Sequence, residues 1–472
     1  MTVPLLQPRP ALAGFLALAV WVLAPSLRAG AQMPEPPAVY VTTWHGEMIV
    51  DVSVLDPSDG SVRATHRLAQ GAGAGRVTLG DSFYGFQSPD SLRFDHLSQW
   101  QAWKRSALDP AISRARRWSK RRWQDWFLPR HDALVRIRPD GAAEQVVDVG
   151  GLSSPRLAAA SQAGVLFATG SPQYGTGAAT PTDELYQVDP STRTRGFVVR
   201  LETPAFPVVQ GFTSDRHFVH ARFVSRALAV SPDARWVLAL ASYHVDTLAT
   251  TAALKHGSVG TMPDSALSAL PTPGLLALLV DVERRAIVAE HRLSTTPDQN
   301  ASAVYVQSES AERFLLESHS SIGFNLSHHL LSLDLGTHDV DTVFTSVGQG
   351  AGFHGPVSTE DNGGALVFER GQDAAGRSQS EVVFLDADCD ERWRAAYPFP
   401  SSAVSVSSGV LYDLDKEDIS YDRYPSHHGP RPHVAATLRR SHISPDGLAE
   451  SASTPLRLDF PTQVLSVLTP SR

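Results

Sequence analysis

Cysteine is almost absent from this 472-residue chain: Cys389 is the only copy, so no disulfide can form within the chain. Local catalytic motifs are also missing. The sequence has no Gly-x-x-x-x-Gly-Lys phosphate loop, no Gly-x-Gly-x-x-Gly fingerprint opening a helix and no His-Glu-x-x-His zinc motif. It also lacks the Gly-x-Ser-x-Gly elbow of hydrolases. These absences exclude enzymes that carry such motifs, but not sites assembled from distant residues.

No apolar run is long enough to cross a bilayer. The run from Ala11 to Ala24 falls short of the roughly 20 residues that a spanning helix needs. It follows Arg9 and precedes Ala29-Gly-Ala31, which has the form of a signal-peptidase site. We therefore predict a signal peptide over residues 1–31 and a periplasmic or secreted mature chain, residues 32–472, without a transmembrane span. Retention of the segment as an uncleaved anchor is the alternative.

A short strand–turn–strand pattern recurs along the mature chain, with β-forming residues on both sides of Asp, Pro and Gly. The first turn residues of the seven copies are Asp56, Arg138, Asp189, Asp281, Asp334, Asp386 and Ser444. Four of the six spacings lie between 51 and 58 residues, and the other two are 82 and 92. A period of about 50 residues is typical of a β-propeller blade.

The two ends of the mature chain together make up one more repeat. There are 28 residues after Ser444 and 25 from Gln32 to Asp56, which gives 53 in all. Stacked blades protect their edges only when the ring is closed. We therefore predict an all-β, seven-bladed β-propeller in which segments 32–56 and 444–472 share a blade. An open array of β-sandwiches is the alternative.

The segment Val230-Ser-Pro-Asp-Ala-Arg-Trp resembles the inner hairpin of the YVTN, TolB and quinoprotein-amine-dehydrogenase-like propellers. This resemblance to a bacterial exported superfamily concerns architecture alone. It implies that the Leu/Val-Asp turns join the third and fourth strands of each blade.

The two long spacings indicate insertions. Ser88-Pro and Asp109-Pro are helix-start signals, and Pro129 would end a second helix. We therefore predict a helical-hairpin insertion over residues 88–129, between blades 1 and 2. A second insertion, over residues 243–273, is predicted to be a loop.

The first insertion concentrates positive charge and tryptophan. Segment 91–130 carries ten basic and three acidic residues, although the whole chain has a net charge of −8. Tryptophan and arginine are enriched at binding hot spots and at membrane interfaces. We predict a docking surface for an envelope protein or an anionic membrane surface, formed by Trp100, Trp103, Arg114, Arg117, Trp118, Arg121, Trp123 and Trp126. Packing of these side chains on the propeller itself is the alternative, and nucleic acid is disfavoured because the rest of the chain is acidic.

Metal and cofactor signals are weak. Two Asp-x-Asp-x-Asp-like stretches, at Asp386 and Asp413, lack the glycine and the final acid of a calcium loop. His427, His428 and His433 could bind a divalent metal from a Pro-stiffened loop. No cofactor is predicted.

The function predicted from the sequence is therefore that of an exported, non-catalytic propeller that binds a protein, peptide or envelope component. The alternative is an enzyme with its active site on the axial face, of the hydrolase, lactonase or quinoprotein-dehydrogenase type, because propellers host both classes.

Overall fold

The computed structural model describes residues 37–44, 49–69, 75–87, 133–148, 152–172, 183–213, 217–249, 260–261, 268–295, 301–322, 325–348, 352–359, 363–372, 378–400, 404–416, 434–444, 446–458 and 463–470. Residues 1–35 precede the first described residue. They lie outside the described ranges, so the signal peptide stays a prediction. No helix in these ranges has the length and apolar character needed to cross a membrane.

The chain forms seven antiparallel sheets, each a blade of a β-propeller. From the axis outward, blade 1 consists of β30 (Gln463–Leu468), β1 (Val39–Trp44), β2 (Ile49–Leu55) and β3 (Val62–Ala69). In the same direction, blade 2 consists of β4 (Arg76–Leu79), β5 (Ser82–Gln87), β6 (Ala133–Ile137) and β7 (Ala143–Asp148). Blade 3 consists of β8 (Leu152–Ala160), β9 (Val165–Pro172), β10 (Glu184–Asp189) and β11 (Thr194–Arg200).

Blade 4 is the largest sheet. Its four blade strands are β13 (His217–Val230), β14 (Trp236–Ala249), β16 (Gly274–Asp281) and β17 (Ala286–Ser294). Two further strands, β12 (Val209–Thr213) and β15 (Gly260–Thr261), extend the sheet beside β13.

The remaining blades have four strands each. Blade 5 consists of β18 (Ser302–Gln307), β19 (Glu312–Ile322), β20 (Asn325–Asp334) and β21 (Val340–Gly348). Blade 6 consists of β22 (Gly352–Ser358), β23 (Gly364–Gln372), β24 (Ser378–Asp386) and β25 (Glu391–Ala396). Blade 7 consists of β26 (Ser405–Ser407), β27 (Val410–Lys416), β28 (Val434–Ser444) and β29 (Gly447–Leu458).

The ring closes through blade 1, as the sequence predicted. Strand β30, near the end of the chain, pairs antiparallel with β1, and Tyr40 lies opposite Leu468. The inner strand of this blade thus comes from one end of the chain and the outer three from the other. The seven-bladed ring and the blade shared by the two ends are confirmed.

A separate apolar core fills the seam between each pair of neighbouring blades. Val52 and Phe83 belong to the core between blades 1 and 2, and Val41 and Leu414 to the core between blades 7 and 1. The intervening seams have cores of the same kind. Middle strands have neighbours on both faces, so β16 is buried along its whole length and reads as a continuous apolar run.

The seven repeated turns all join the third and fourth strands of a blade, as the resemblance implied. In each turn the residue three or four positions after the first turn residue has a positive φ, and four of these seven residues are not glycine. The aspartate side chains stabilise this conformation by accepting backbone N–H groups, for example Asp56 from Ser58 at 2.9 Å and Asp334 from Gly336 at 2.8 Å. The Val230-Ser-Pro-Asp segment joins β13 to β14, which confirms its place in an inner hairpin.

The predicted position of the first insertion is wrong. Its residues connect β5 to β6, which pair with each other inside blade 2, so the insertion does not lie between blades. The helical hairpin predicted over 88–129 falls outside the described residues. In the second predicted insertion, 243–273, β14 continues to Ala249 and β16 begins at Gly274. Both insertions therefore connect the second strand of a blade to its third strand.

Candidate functional site

The residues predicted to bind partners or metal lie outside the described ranges. This applies to the docking residues, which are Trp100, Trp103, Arg114, Arg117, Trp118, Arg121, Trp123 and Trp126. It also applies to the metal candidates His427, His428 and His433. Their roles stay predictions. Within the described ranges, no group of three or more His, Cys, Asp and Glu side chains could hold a metal ion.

Three arginines occupy the inner strands of three consecutive blades, and we refer to Arg76, Arg156 and Arg226 as the arginine cluster. Arg76 opens β4, whereas Arg156 and Arg226 each lie four residues before the end of β8 and β13. The first strands of neighbouring blades contact one another beside the axis. The three arginines therefore occupy similar positions along the axis of the propeller.

Arg156 is the middle member of this cluster. Its Nε donates to the backbone carbonyl of Ser225 at 3.3 Å, across the seam between blades 3 and 4. Its two Nη atoms form no hydrogen bond or ion pair within the described part of the chain. Asp183 lies nearby and accepts the backbone N–H of Ser225 at 2.6 Å. Arg156 thus presents a half-buried guanidinium group with unused donors.

Arg226 is fixed by two side chains of the next strand. Its Nε donates to Ser242 Oγ at 2.8 Å, and its Nη2 lies 2.9 Å from His244 Nε2. The imidazole nitrogen must accept in this contact, because a guanidinium group has only donors. Arg226 is the extra residue of a β-bulge between Ser225 and Ala227. A bulge redirects a side chain out of the regular alternation, and bulges are frequent beside binding sites.

The positive charges of neighbouring arginines lower the pKa values of Arg76 and Arg156. Burial and the charge of Arg156 lower the pKa of Arg76 to about 10. Burial and the charge of Arg226 lower the pKa of Arg156, while the carboxylate of Asp183 opposes this shift. At neutral pH all three groups are still charged, so the inner strands of blades 2, 3 and 4 carry concentrated positive charge in a region partly shielded from water.

Gly75 permits the close approach of β4 and β8, the inner strands of blades 2 and 3. A Cβ atom at this position would lie 2.1 Å from the backbone nitrogen of Leu157 and 2.7 Å from the carbonyl carbon of Arg156. Such contacts are shorter than real Cβ atoms tolerate, so only glycine fits. The absence of a side chain at Gly75 therefore brings Arg76 beside Arg156.

A second polar group lies in the seam between blades 5 and 6, and we refer to Ser302, Glu317, His319 and His328 as the acid–imidazole cluster. Ser302 Oγ lies 3.0 Å from Glu317 Oε2 and 3.0 Å from the carbonyl oxygen of Gly355 in blade 6. His328 Nδ1 lies 3.7 Å from Glu317 Oε1, and its ring packs edge-on against Phe353. The rings of His319 and His328 are 5.5 Å apart.

The acid–imidazole cluster lacks the geometry of a catalytic triad. In a triad, an imidazole nitrogen accepts the proton of the nucleophilic hydroxyl group. The hydroxyl of Ser302 is instead directed to a carboxylate and a carbonyl oxygen, and no serine–imidazole hydrogen bond occurs among the side chains of this cluster. Glu317 is only 6% exposed. The cluster therefore stabilises the contact between blades 5 and 6 and does not form an exposed reactive site.

Glu317, which is buried, and His354 of blade 6, which is half-buried, have pKa shifts of opposite direction. Burial raises the pKa of Glu317 above its ordinary value of 4.5, against the lowering effect of His328 and Ser302. Burial lowers the pKa of His354, which packs against Phe368 and Phe399, below 6.5. Glu317 therefore contributes stability that is lost as pH rises through its raised pKa. His354 contributes stability that is lost as pH falls below its ordinary value.

Two substitutions should separate these effects. Glu317→Gln retains a neutral polar side chain, so the variant should lose less stability than wild type between pH 5 and pH 8. His354→Phe retains the aromatic packing, so the variant should lose less stability than wild type between pH 7 and pH 5. Urea unfolding across this pH range measures both. Stability profiles parallel to that of wild type in both variants would contradict the assignment.

The arginine cluster was missed in the sequence, although a signal is present. Each arginine precedes a short apolar or small-residue run and then a turn: Arg76-Val-Thr-Leu, Arg156-Leu-Ala-Ala-Ala and Arg226-Ala-Leu-Ala-Val. The sequence distance from each arginine to the turn between the third and fourth strands of its blade does not reveal the cluster. Insertions between second and third strands separate those turns from the inner strands by different lengths, so equivalent positions do not share an offset.

Comparison with known proteins finds similar structures, but their sequence identity to this chain is low. No protein-family model matches the chain, and no curated protein matches it. Among solved structures, AztD from Citrobacter koseri is 10% identical with a TM-score of 0.41, covering 91% of this chain and 97% of that one. The β-propeller domain of the Trilobed protease from Pyrococcus furiosus is 8% identical with a TM-score of 0.38, covering 82% and 97%.

A third similar structure is an acylaminoacyl peptidase from Pyrococcus horikoshii, 8% identical with a TM-score of 0.35. The alignment covers 68% of this chain and 47% of the peptidase, so this chain spans about half the length of that enzyme. Identities this low give no basis for transferring an activity.

Proposed function

We infer that the protein is a binding propeller that holds a small anionic ligand at the arginine cluster. The observation that carries this proposal is Arg156, whose Nη donors have no partner in the described ranges while Arg76 and Arg226 lie on either side. Three guanidinium groups on the inner strands of three consecutive blades are stabilised by an added negative charge. A carboxylate or phosphate group also matches the planar fork of arginine.

Binding is favoured over catalysis because the candidate nucleophile and bases beside the cluster are already engaged: Ser242 Oγ and His244 Nε2 both accept from Arg226, and Asp183 accepts the backbone N–H of Ser225, so none of them is presented as a nucleophile or general base. A hydrolase would need such a group within reach of the bound substrate. Retention of a negatively charged molecule needs only the donors. If the chain is exported as predicted, the ligand is encountered in the periplasm or outside the cell.

The proposal predicts that inorganic phosphate or succinate binds with heat detectable by isothermal titration calorimetry. Arg156→Gln should weaken binding about 10- to 100-fold, because a hydrogen bond to a charged group contributes roughly 1.5–3 kcal/mol. Arg138→Gln is the matched control: it removes an equal charge from an exposed turn, where the Arg138 side chain is 47% exposed.

The two variants separate site binding from general attraction to cations. Equal affinity in wild type and Arg156→Gln would overturn the proposal, as would failure of both anions to bind. Equal losses in Arg156→Gln and Arg138→Gln would show that net charge alone is responsible.

A further inference from the structure

Four polar residues meet in the seam between blades 3 and 4, and we refer to Arg156, Thr169, Asp183 and Ser225 as the seam cluster. Thr169 lies opposite Arg156 on the neighbouring strand β9. Asp183 Oδ2 accepts the backbone N–H of Ser225 at 2.6 Å. Each residue of the cluster is two positions away from an apolar residue in the core of this seam, and these residues are Ala158, Phe167, Leu185 and Phe223. Because side chains alternate along extended chain, all four polar side chains are directed into the seam.

The hydroxyl groups of Thr169 and Ser225 are buried without hydrogen-bond partners. Both residues are 0% exposed, and neither Oγ atom has a partner within the described residues. A buried hydroxyl group normally forms a hydrogen bond, because leaving it unpaired costs free energy. The two Nη atoms of Arg156 are likewise without partners in these ranges. The three residues therefore leave several donors available at the same point of the seam.

Asp183 adds an acceptor to these donors. It is only 3% exposed, and its carboxylate lies near enough to Arg156 to oppose the lowering of the arginine's pKa. A carboxylate has about four lone-pair sites, and the N–H of Ser225 occupies one of them. A ligand oxygen that carries a hydrogen can therefore donate to Asp183. The negative charge of Asp183 repels a ligand oxygen that carries none.

This difference separates two tetrahedral oxyanions of nearly the same size. Inorganic phosphate retains a proton at neutral pH, whereas sulfate has none. Both can accept hydrogen bonds from a guanidinium group and from hydroxyl groups. Only phosphate can also donate to a carboxylate. A site with an acceptor among its donors therefore discriminates against sulfate through a repulsive contact as well as a missing hydrogen bond.

We propose that the seam cluster binds inorganic phosphate in a protonated form and rejects sulfate. Oxygens of the phosphate accept from the Nη atoms of Arg156 and from the hydroxyl groups of Thr169 and Ser225. The P–OH group donates to Asp183, which is therefore the residue that determines specificity. This inference rests on the proposed function, because it specifies which anion the protein holds beside the arginine cluster.

Isothermal titration calorimetry at pH 7 with inorganic phosphate and with sulfate tests the role of Asp183. The wild-type chain should bind phosphate at least about tenfold more tightly than sulfate, because a site that pairs with a ligand hydroxyl group rejects an analogue without it. Asp183→Asn should reduce this ratio to about threefold or less, because the amide can donate to an oxygen that carries no hydrogen. Asp140→Asn is the matched control: it removes an equal charge from an exposed turn, where the Asp140 side chain is 67% exposed, and should leave the ratio unchanged.

Ser225→Ala and Thr169→Val test the two hydroxyl groups separately from folding. Each should weaken phosphate binding about tenfold, because it removes a hydrogen bond to a charged ligand. The urea midpoint of the unliganded variants should stay the same or rise, because the lost hydroxyl group has no partner within the described part of the chain. Ser53→Ala is the control. Its hydroxyl group is buried in blade 1 but lies 3.2 Å from Thr65 Oγ1, so this variant should lose stability and bind phosphate like wild type.

The outcomes separate this inference from the proposed function. Failure of the wild-type chain to bind phosphate, sulfate or succinate would overturn both. A phosphate affinity no higher than that for sulfate, or the same ratio in Asp183→Asn and Asp140→Asn, would overturn the inference and leave anion binding in place. Unchanged phosphate affinity in both Ser225→Ala and Thr169→Val would also overturn it, because water would then be the partner of the two hydroxyl groups.

Discussion

Deletion of residues 463–472 should abolish folding of the ring as a cooperative unit. These residues contain β30, whose Val467 is fully buried in the core between blades 7 and 1. Thr469 also connects to two other blades, because its carbonyl oxygen accepts from Thr78 in blade 2 at 2.8 Å and its hydroxyl lies 2.6 Å from Ser405 in blade 7. Loss of the strand therefore removes contacts of three blades and leaves the inner edge of β1 unpaired.

The expected loss is comparable to the whole stability of a typical protein. Each fully buried aliphatic side chain contributes about 1.5–3 kcal/mol, and the net stability of a domain is about 5–15 kcal/mol. Circular dichroism and urea unfolding should show loss of a single transition, whereas deletion of residues 471–472 alone should leave it intact. Addition of a synthetic peptide of residues 463–472 should restore the transition. An unchanged midpoint after the ten-residue deletion would show that β30 is dispensable for closure.

Arg439→Gln should destabilise the chain by about 3–5 kcal/mol, since it removes one partner of a buried ion pair. Arg439 Nη2 lies 2.9 Å from Asp413 Oδ2, and the Asp413 side chain is completely buried in the seam between blades 6 and 7. Burial already raises the pKa of Asp413, and Arg439 opposes that rise. Without the arginine the pKa should rise further. The variant should therefore be least stable at high pH and recover as pH falls and Asp413 takes up a proton.

Urea unfolding from pH 5 to pH 8 measures the effect and its sign. Arg284→Gln is the control, because Arg284 also pairs with a buried aspartate, Asp281, but its own side chain is 75% exposed; the expected cost is below about 1 kcal/mol. Asp413→Asn combined with Arg439→Gln should recover most of the lost stability, since no unpaired charge remains. Equal losses in Arg439→Gln and Arg284→Gln would contradict the assignment of a buried pair.

The fold was predictable because its signal is local and repeated. Each turn between third and fourth strands needs a residue that accepts backbone N–H groups and another that tolerates a positive φ. This requirement leaves Asp56, Asp189, Asp334 and Asp386 visible in the sequence among seven turns, and four of the six spacings between those turns lie between 51 and 58 residues. Ring closure was predictable from the sum of the two end segments. Neither inference required knowledge of contacts between blades.

The position of the first insertion was not predictable from the same turns. They mark one corner of each blade, and a long spacing between two of them fits an insertion at any of the other three connections. Only the pairing of Gln87 with Ala133 shows that segment 88–132 connects two strands of the same blade.

The candidate site could not be predicted from the sequence, and the reason is different. Arg76, Arg156 and Arg226 come from three blades, and each is one of 41 lysines and arginines in the chain. Their significance depends on the contact between inner strands, on Gly75 and on the bulge at Arg226. None of these leaves a strong pattern in a single sequence, because a bulge and a close approach are properties of paired strands.

The pairing of Gln87 with Ala133 also means that the ring does not depend on how long the intervening chain is. The two ends of that chain are held about 5 Å apart by the hairpin itself, as in any paired strands. Doubling the length of a flexible connection adds only about 0.6 kcal/mol of closure entropy. Residues can therefore be gained or lost at this corner of the blade at little cost to the seven seams. In evolutionary terms, the face that carries the connections between second and third strands can diversify while the scaffold stays the same.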